Sequence, residues 1–233
     1  MSSTYLVLCQ KFRRECGIAG SGPSAVTNQT GMMQKICDWI ADAEENIKSK
    51  WQDWDFLLKE FTHTTTAGTK DISRPSDFGM WDMNSFYLNY TSDSYKKLTE
   101  YDYKRWRNND RLGTQTNQEP DFIIRKPNGD LILHGPPDDA YSLTADYYGI
   151  GLSTGSGNRF SANSDVSYIP TKFDRLILME AKMMWAIHEE AMNEYKAAQI
   201  EYDKLMNQME SQYLPSMESR TKADNEGMVV TPE

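Results

Sequence analysis

The hydrophobic period of this chain changes twice, and that limits the folds open to it. Apolar residues recur at three-and-four spacing up to about Lys50, alternate in twos through the middle, and return to helical spacing beyond Pro170. The implied class is α+β: a helical bundle (two N-terminal helices plus long C-terminal helices) with a central antiparallel β-sheet insertion.

Tyr5, Leu8, Cys9, Phe12 and Cys16 form one apolar stripe, with Lys11, Arg13 and Arg14 opposite, and Gly17 stands where a left-handed stop belongs. A second helix runs from Thr30–Gly31 to about Lys50, with Met33, Ile36, Cys37, Ile40, Ala43 and Ile47 on one face and Thr30 as its expected N-cap. "LLKEFTHTTTAG" and "SFYLNYTS" read as strands, and "TEYDYKRW" as a short helix with Thr99 and Asp102 at capping-box spacing.

Phe122–Arg125 and Leu131–Leu133 flank an Asn128-Gly129 turn, whose residues tolerate positive φ. A third strand alternates Tyr141, Leu143, Ala145 and Tyr147 against Ser142, Thr144, Asp146 and Tyr148. These segments suggest a meander in one antiparallel sheet of about four or five strands. "GLSTGSGNRFSANSD" reads as a polar, mobile loop. A long helical zone then runs from Pro170–Thr171 to about Tyr213, where Pro215 ends it. The expected organisation is 1–55 with 168–213 as a helical bundle domain, 56–167 as a β-rich insertion and 214–233 as a C-terminal extension.

With 39% hydrophobic and 12% aromatic residues, the 233-residue chain has enough apolar material for a real core. A formal charge of −9 argues against nucleic-acid capture as its main task, though not against nucleic acid passing close by. Cys9, Cys16 and Cys37 are odd in number and form no CxxC, which suggests buried free thiols in a reducing compartment. The start "MSSTYLVLCQKFRREC" meets charge too soon for a signal peptide, and no stretch has the apolar length of a membrane span. The expectation is a soluble protein, intracellular when made.

The chemical motifs are weak. "CGIAGSGPSAVTNQTG" contains GxxGxG, but it lacks the lysine of a phosphate loop and follows a helix instead of a strand, so it reads as a helix-to-helix connector. "HEEAM" from His188 begins like HExxH, but Met192 replaces the second histidine. His63 and His134 fall in other segments, so no metal or cofactor is expected. The pairs Asp138–Asp139 and Glu189–Glu190 read as solvated charges before they read as catalytic dyads. The thirteen methionines gather largely in the long helices, where core filling explains most; methionine also suits surfaces that repack against partners.

Taken in order, "CQKFRRECGIAGSGPSAVTNQTG", "QKICDWIADAEENIKSKWQDWDFL", "FTHTTTAG", "FGMWDMNSFYL", "DDAYSLTADYY" and "IPTKFDRLILMEAKMMWAIHEEAMNEYKAAQIEYDKLMNQM" resemble the tailed-bacteriophage head–tail adaptor family, also called head-to-tail connector or neck proteins. The resemblance covers nearly all of residues 4 to 210. Its pattern residues here are Gly17, Gly20, Gly22, Pro23, Trp39, Trp54, Tyr147, Tyr148, Pro170, Glu189 and Glu190. Relatives often carry proline shortly after the Glu-Glu pair, where this chain has Met192, and the segment after Pro215 lies outside the resemblance.

The resemblance implies a structural virion protein without turnover, placed in the neck between head and tail and in the host cytoplasm during assembly. It implies a ring, commonly of twelve copies, that lies beneath the portal protein ring, extends the DNA channel and offers the attachment surface for a tail or nozzle protein. Genomic DNA passes through the lumen without sequence-specific binding. A C-terminal extension that docks on the portal places Tyr213, Leu214, Met217, Met228, Val229 and Val230 as candidate docking residues. The rival within the class is another neck component, a tail terminator or head-closure protein. The rival outside it is a phage enzyme using the paired carboxylates.

Overall fold

The computed structural model describes residues 3–91, 94–111, 116–154 and 157–215. They divide into two compact units: one takes the chain up to Leu57 and again from Ile150, the other takes Leu58–Gly149.

The first unit is helical. Helix α1 (Tyr5–Glu15) starts on Thr4, whose hydroxyl accepts the Val7 N–H, and buries Tyr5, Leu8, Cys9 and Phe12. Helix α2 (Gly31–Ser49) buries the stripe Ile36, Cys37, Ile40, Ala43 and Ile47; Thr30 holds the N-cap position but its side chain makes no capping bond. Beyond Pro170 the helical zone is two helices, α4 (Asp174–His188) and α5 (Met192–Tyr213), with the short α3 described below lying earlier in the chain. Helix α4 packs against α1, α2 and α5, which makes it the centre of the bundle.

The break between α4 and α5 has a local cause. Glu190 adopts φ +56, and the amides of Glu190 and Ala191 turn back to the carbonyls of Ile187 and Ala186. That pair of bonds is the left-handed helix stop usually given to glycine. Met192 then opens α5 at its first helical position, where proline is readily accepted.

The described residues of the second unit form nine strands in two sheets. The first sheet contains β1 (Leu58–Thr64), β3 (Phe78–Trp81), β4 (Tyr87–Thr91), β5 (Ser94–Lys97) and β9 (Ser142–Gly149). Its order is β1-β9-β4-β5, with β3 also on β9, and all its pairs are antiparallel. The second sheet contains β2 (Asp71–Ile72), β6 (Thr99–Glu100), β7 (Phe122–Arg125) and β8 (Leu131–Leu133) in the order β2-β8-β7-β6, with β6 parallel to β7. The expected meander is therefore corrected: the hairpin β7–β8 belongs to one sheet and β9 to the other.

The reason is visible in the burial. Trp81, Leu88, Leu143 and Tyr147 of the first sheet share one core with Ile123, Leu131 and Leu133 of the second. The opposite face of the second sheet, Ile124 and Ile132, is covered by Trp106 of helix α3 (Tyr103–Asn109). The second sheet is thus a middle layer, buried on both faces, and its strands lack the alternation of β9. The hairpin turn needs its glycine: Gly129 has φ +89, and a Cβ there would lie 2.5 Å from the Phe78 ring.

Two further expectations are corrected. Asp102 is not the inner partner of a capping box; it is itself the N-cap of α3, accepting the Arg105 N–H at 2.8 Å, while Thr99 lies in β6. The described part of the loop after Gly149 is anchored, not mobile. Asp165 is buried and accepts from the amides of Ser161 and Ala162, and Phe160 stacks on Tyr5 at 4.7 Å. Buried carboxylates need such donors, and this one organises its own loop.

Candidate assembly surfaces

The connector between α1 and α2 spends its amides on the helix it follows. Gly17, at φ +62, and Ile18 donate to Arg14 and Arg13 carbonyls, a left-handed stop of the same kind as at Glu190. Arg13 then reaches forward to the carbonyls of Ile18 and Gly20, and Gln10 donates to the Pro23 carbonyl at 3.0 Å. The Gly22–Pro23 peptide is cis, and Val26 is buried with its N–H on Asn163 Oδ1 at 2.7 Å. With these bonds the stretch is a folded reversal between two helices.

The α4–α5 corner gathers several of the pattern residues. Trp39 of α2 is half-buried between Phe12 and His188, at ring distances of 6.3 and 5.5 Å. His188 accepts from Lys35 Nζ at 2.5 Å through Nε2 and donates from Nδ1 to Glu189 at 3.0 Å. Glu189 and Glu190 are exposed, and the flanking Ile187 and Met192 are 62% and 56% exposed. Further along α5, Ile200 is 73% exposed. Ile187 and Met192 thus leave open apolar surface on both sides of the turn.

Ion pairs brace the same helices. Arg175 of α4 joins Glu201 of α5 and Glu15 of α1, and the guanidinium holds the Glu201 carboxyl below its ordinary range. Lys182 pairs with Glu194 at 2.9 Å and lowers that carboxyl in the same way. At the far end, Trp51 Nε1 donates to Glu210 at 2.9 Å.

The foot of α5 carries two of the candidate docking residues. Tyr213 meets Phe56 and Phe173 edge-on at 5.7 and 6.1 Å, under the Lys172 ammonium at 4.8 Å. Leu214 is half-buried and extended beside it. Met217, Met228, Val229 and Val230 lie outside the described residues. Trp54 is fully buried and stacks on Phe56 at 5.3 Å, and Pro170 opens the turn that delivers Phe173.

In the β-rich unit, Tyr147 is a core residue whose hydroxyl donates to Asp77 at 3.0 Å. Burial opposes charge on Asp77, but bonds from Lys59 and Tyr147 win and hold its carboxyl below the ordinary range. Tyr148 points to the opposite side of β9. Asp138 and Asp139 sit exposed on a turn, the former accepting the Tyr141 hydroxyl at 2.7 Å. Among the described residues no group of three His, Cys, Asp or Glu is placed to hold a metal.

One surface is absent from the sequence reading altogether. A cleft of about 500 Å³ beside α3 is lined by Lys70, Arg107, Arg111 and Lys126 over Trp106 and Ile132. The run "YKRWRNNDR" is its sequence signal, a basic helix in an acidic chain. Among the described residues no helix is long and apolar enough to cross a membrane.

Residues 3–228 match the family model described as SU10 adaptor protein. The match runs into the segment after Pro215 that the sequence reading left outside its resemblance. No curated protein matches the chain.

Proposed function

The chain belongs to the SU10 adaptor protein family, a phage head–tail adaptor family, and on that premise we propose that its copies assemble as a ring, of about twelve by the family resemblance, beneath the portal. The ring extends the DNA channel and presents the surface on which a tail or nozzle protein attaches. The observation that carries this reading is the α4–α5 turn, where Ile187 and Met192 remain uncovered, with Ile200 open further along α5. An obligate assembly partner is the usual cover for such a patch.

The acidic balance supports the channel role. Carboxylates facing the lumen repel phosphate and let DNA slide, whereas a basic lumen holds DNA through counterion release. A neutral or basic channel in an assembled ring would sink that part of the reading. Tyr213, Leu214, Met217, Met228, Val229 and Val230 are proposed as the portal-docking stretch.

Mixing the purified protein with portal rings and imaging the product tests the proposal. Decoration of the portal by a ring is the expected result, and bare portals at high protein concentration would overturn it. A chain ended after Pro215 tests the docking stretch separately: portal binding equal to that of the full chain removes the segment from the interface.

A further inference from the structure

The cleft beside α3 carries more positive charge than its own unit uses. Lys126 is neutralised by Asp71 at 2.5 Å, and Lys70 lies over the Trp106 ring at 5.5 Å. Arg107 and Arg111 are four positions apart, so the helix and its C-terminal turn set both on one rim. Both are exposed, and neither has an ion-pair or hydrogen-bond partner for its guanidinium among the described residues. Elsewhere on the same unit, the carboxylates of Asp138 and Asp139 accept only from the Tyr141 hydroxyl and the Ala140 amide among the described residues. They are adjacent and exposed, with no cation at ion-pair distance among the described residues.

We propose that the Arg107–Arg111 rim of one copy receives the Asp138–Asp139 turn of a second copy. This rests on the reading that copies assemble, and it assigns one of the contacts. Guanidinium groups suit the task because each can grip a carboxylate with two parallel N–H donors, a geometry lysine lacks. The match is two cations to two anions. Duplex DNA calls for a longer track of unpaired cations, and the net charge of −9 opposes its approach. Rim and turn are different patches of one unit, so a contact made once per pair of copies is head-to-tail. Such a contact repeats from copy to copy and closes into a ring when the rotation allows.

Sedimentation velocity on the full chain, at about 50 mM and about 300 mM salt, tests this. The variants are R107E/R111E, D138K/D139K and an equimolar mixture of the two, with circular dichroism confirming that each folds. Each double variant alone is expected to weaken self-association by at least about tenfold, and the mixture to recover it. Wild-type association by R107E/R111E overturns the proposal, as does a mixture that fails to recover. If R107E/R111E keeps its association but loses affinity for a short DNA duplex, the cleft is a phosphate site and the proposal also fails. Portal rings decorated equally by all variants would sink this contact while leaving the ring reading standing. A wild-type chain that never self-associates, with or without portal, would sink both.

Discussion

Lys48 sets its ammonium 3.0 Å from the carboxylate of Glu44, one helical turn back, with both side chains buried in the helical unit. The same ammonium donates to the carbonyls of Ile150, Gly151 and Asn158, and Ser167 donates to Glu44 at 2.5 Å. One buried charge pair therefore ties α2 to the stretch where the chain returns to the helices. Such a pair adds little over an apolar replacement, but removing one member strands the other.

Lys48→Met should thus cost about 3–5 kcal/mol, read as a fall in the thermal midpoint, whereas Glu44→Leu/Lys48→Met should cost far less. The loss should also depend on pH. Burial pushes the Glu44 carboxyl above its ordinary value, against the pull of Lys48, so the native state holds that proton more tightly than the unfolded chain. Its contribution is complete below the unfolded value of about 4.3 and is lost as pH rises through the native one. Without Lys48 the native value climbs further, so the variant should lose more stability than wild type as pH rises above the unfolded carboxylate value. Parallel stability curves would refute the assignment.

Glu190 holds the left-handed position of the α4 stop, where a side chain brings strain, and its carboxylate makes no hydrogen bond or ion pair among the described residues. Glu190→Gly should raise stability by about 0.5–1 kcal/mol, and Glu190→Val should lower it. Chemical denaturation of the three proteins measures this. A destabilised glycine variant would mean that the carboxylate has a structural partner after all.

The helices are legible because their apolar stripes are long: Tyr5 to Cys16, Ile36 to Ile47 and Phe173 onward keep one face across several turns. The split at residues 189–191 is not, because neither glycine nor proline marks it; the stop is made by a glutamate in a conformation that sequence does not suggest. The sheet is legible as β structure but not as two layers. The continuous runs "FIIR" and "LIL" against the alternating "SLTADYYG" hold that distinction, since a strand buried on both faces loses its alternation. The α3 cleft is half-legible. Arg107 and Arg111 stand in a visible basic run, but Lys70 joins them only through long-range strand pairing of β2 with β8.

Tyr213 closes an aromatic corner with Phe56 and Phe173, so its first duty is to hold the end of α5. Tyr213→Ala should cost about 1–3 kcal/mol, while Tyr213→Phe keeps the ring contacts and should stay near wild type. Portal affinity of the phenylalanine variant separates the two roles. If it folds as wild type yet binds the portal weakly, the hydroxyl belongs to the docking surface as well.

The three cysteines should be silent in the native protein. Cys9 and Cys37 are buried on facing helices, and both the Cys37 hydrogen bond and burial push the Cys9 thiol up. Cys16 is only half-buried, but desolvation pushes it up to about 12, so near neutral pH it stays a thiol. Alkylation near neutral pH should therefore leave the folded chain unlabelled and modify all three sites once denaturant is added. As pH rises, Cys16 labelling should accelerate about tenfold per unit, with no plateau before the titration range is reached. A fast-reacting native thiol would show that the α1–α2 seam opens on the timescale of the reagent. The connector "CGIAGSGPSAVTNQTG" would then be a hinge in motion as well as a reversal.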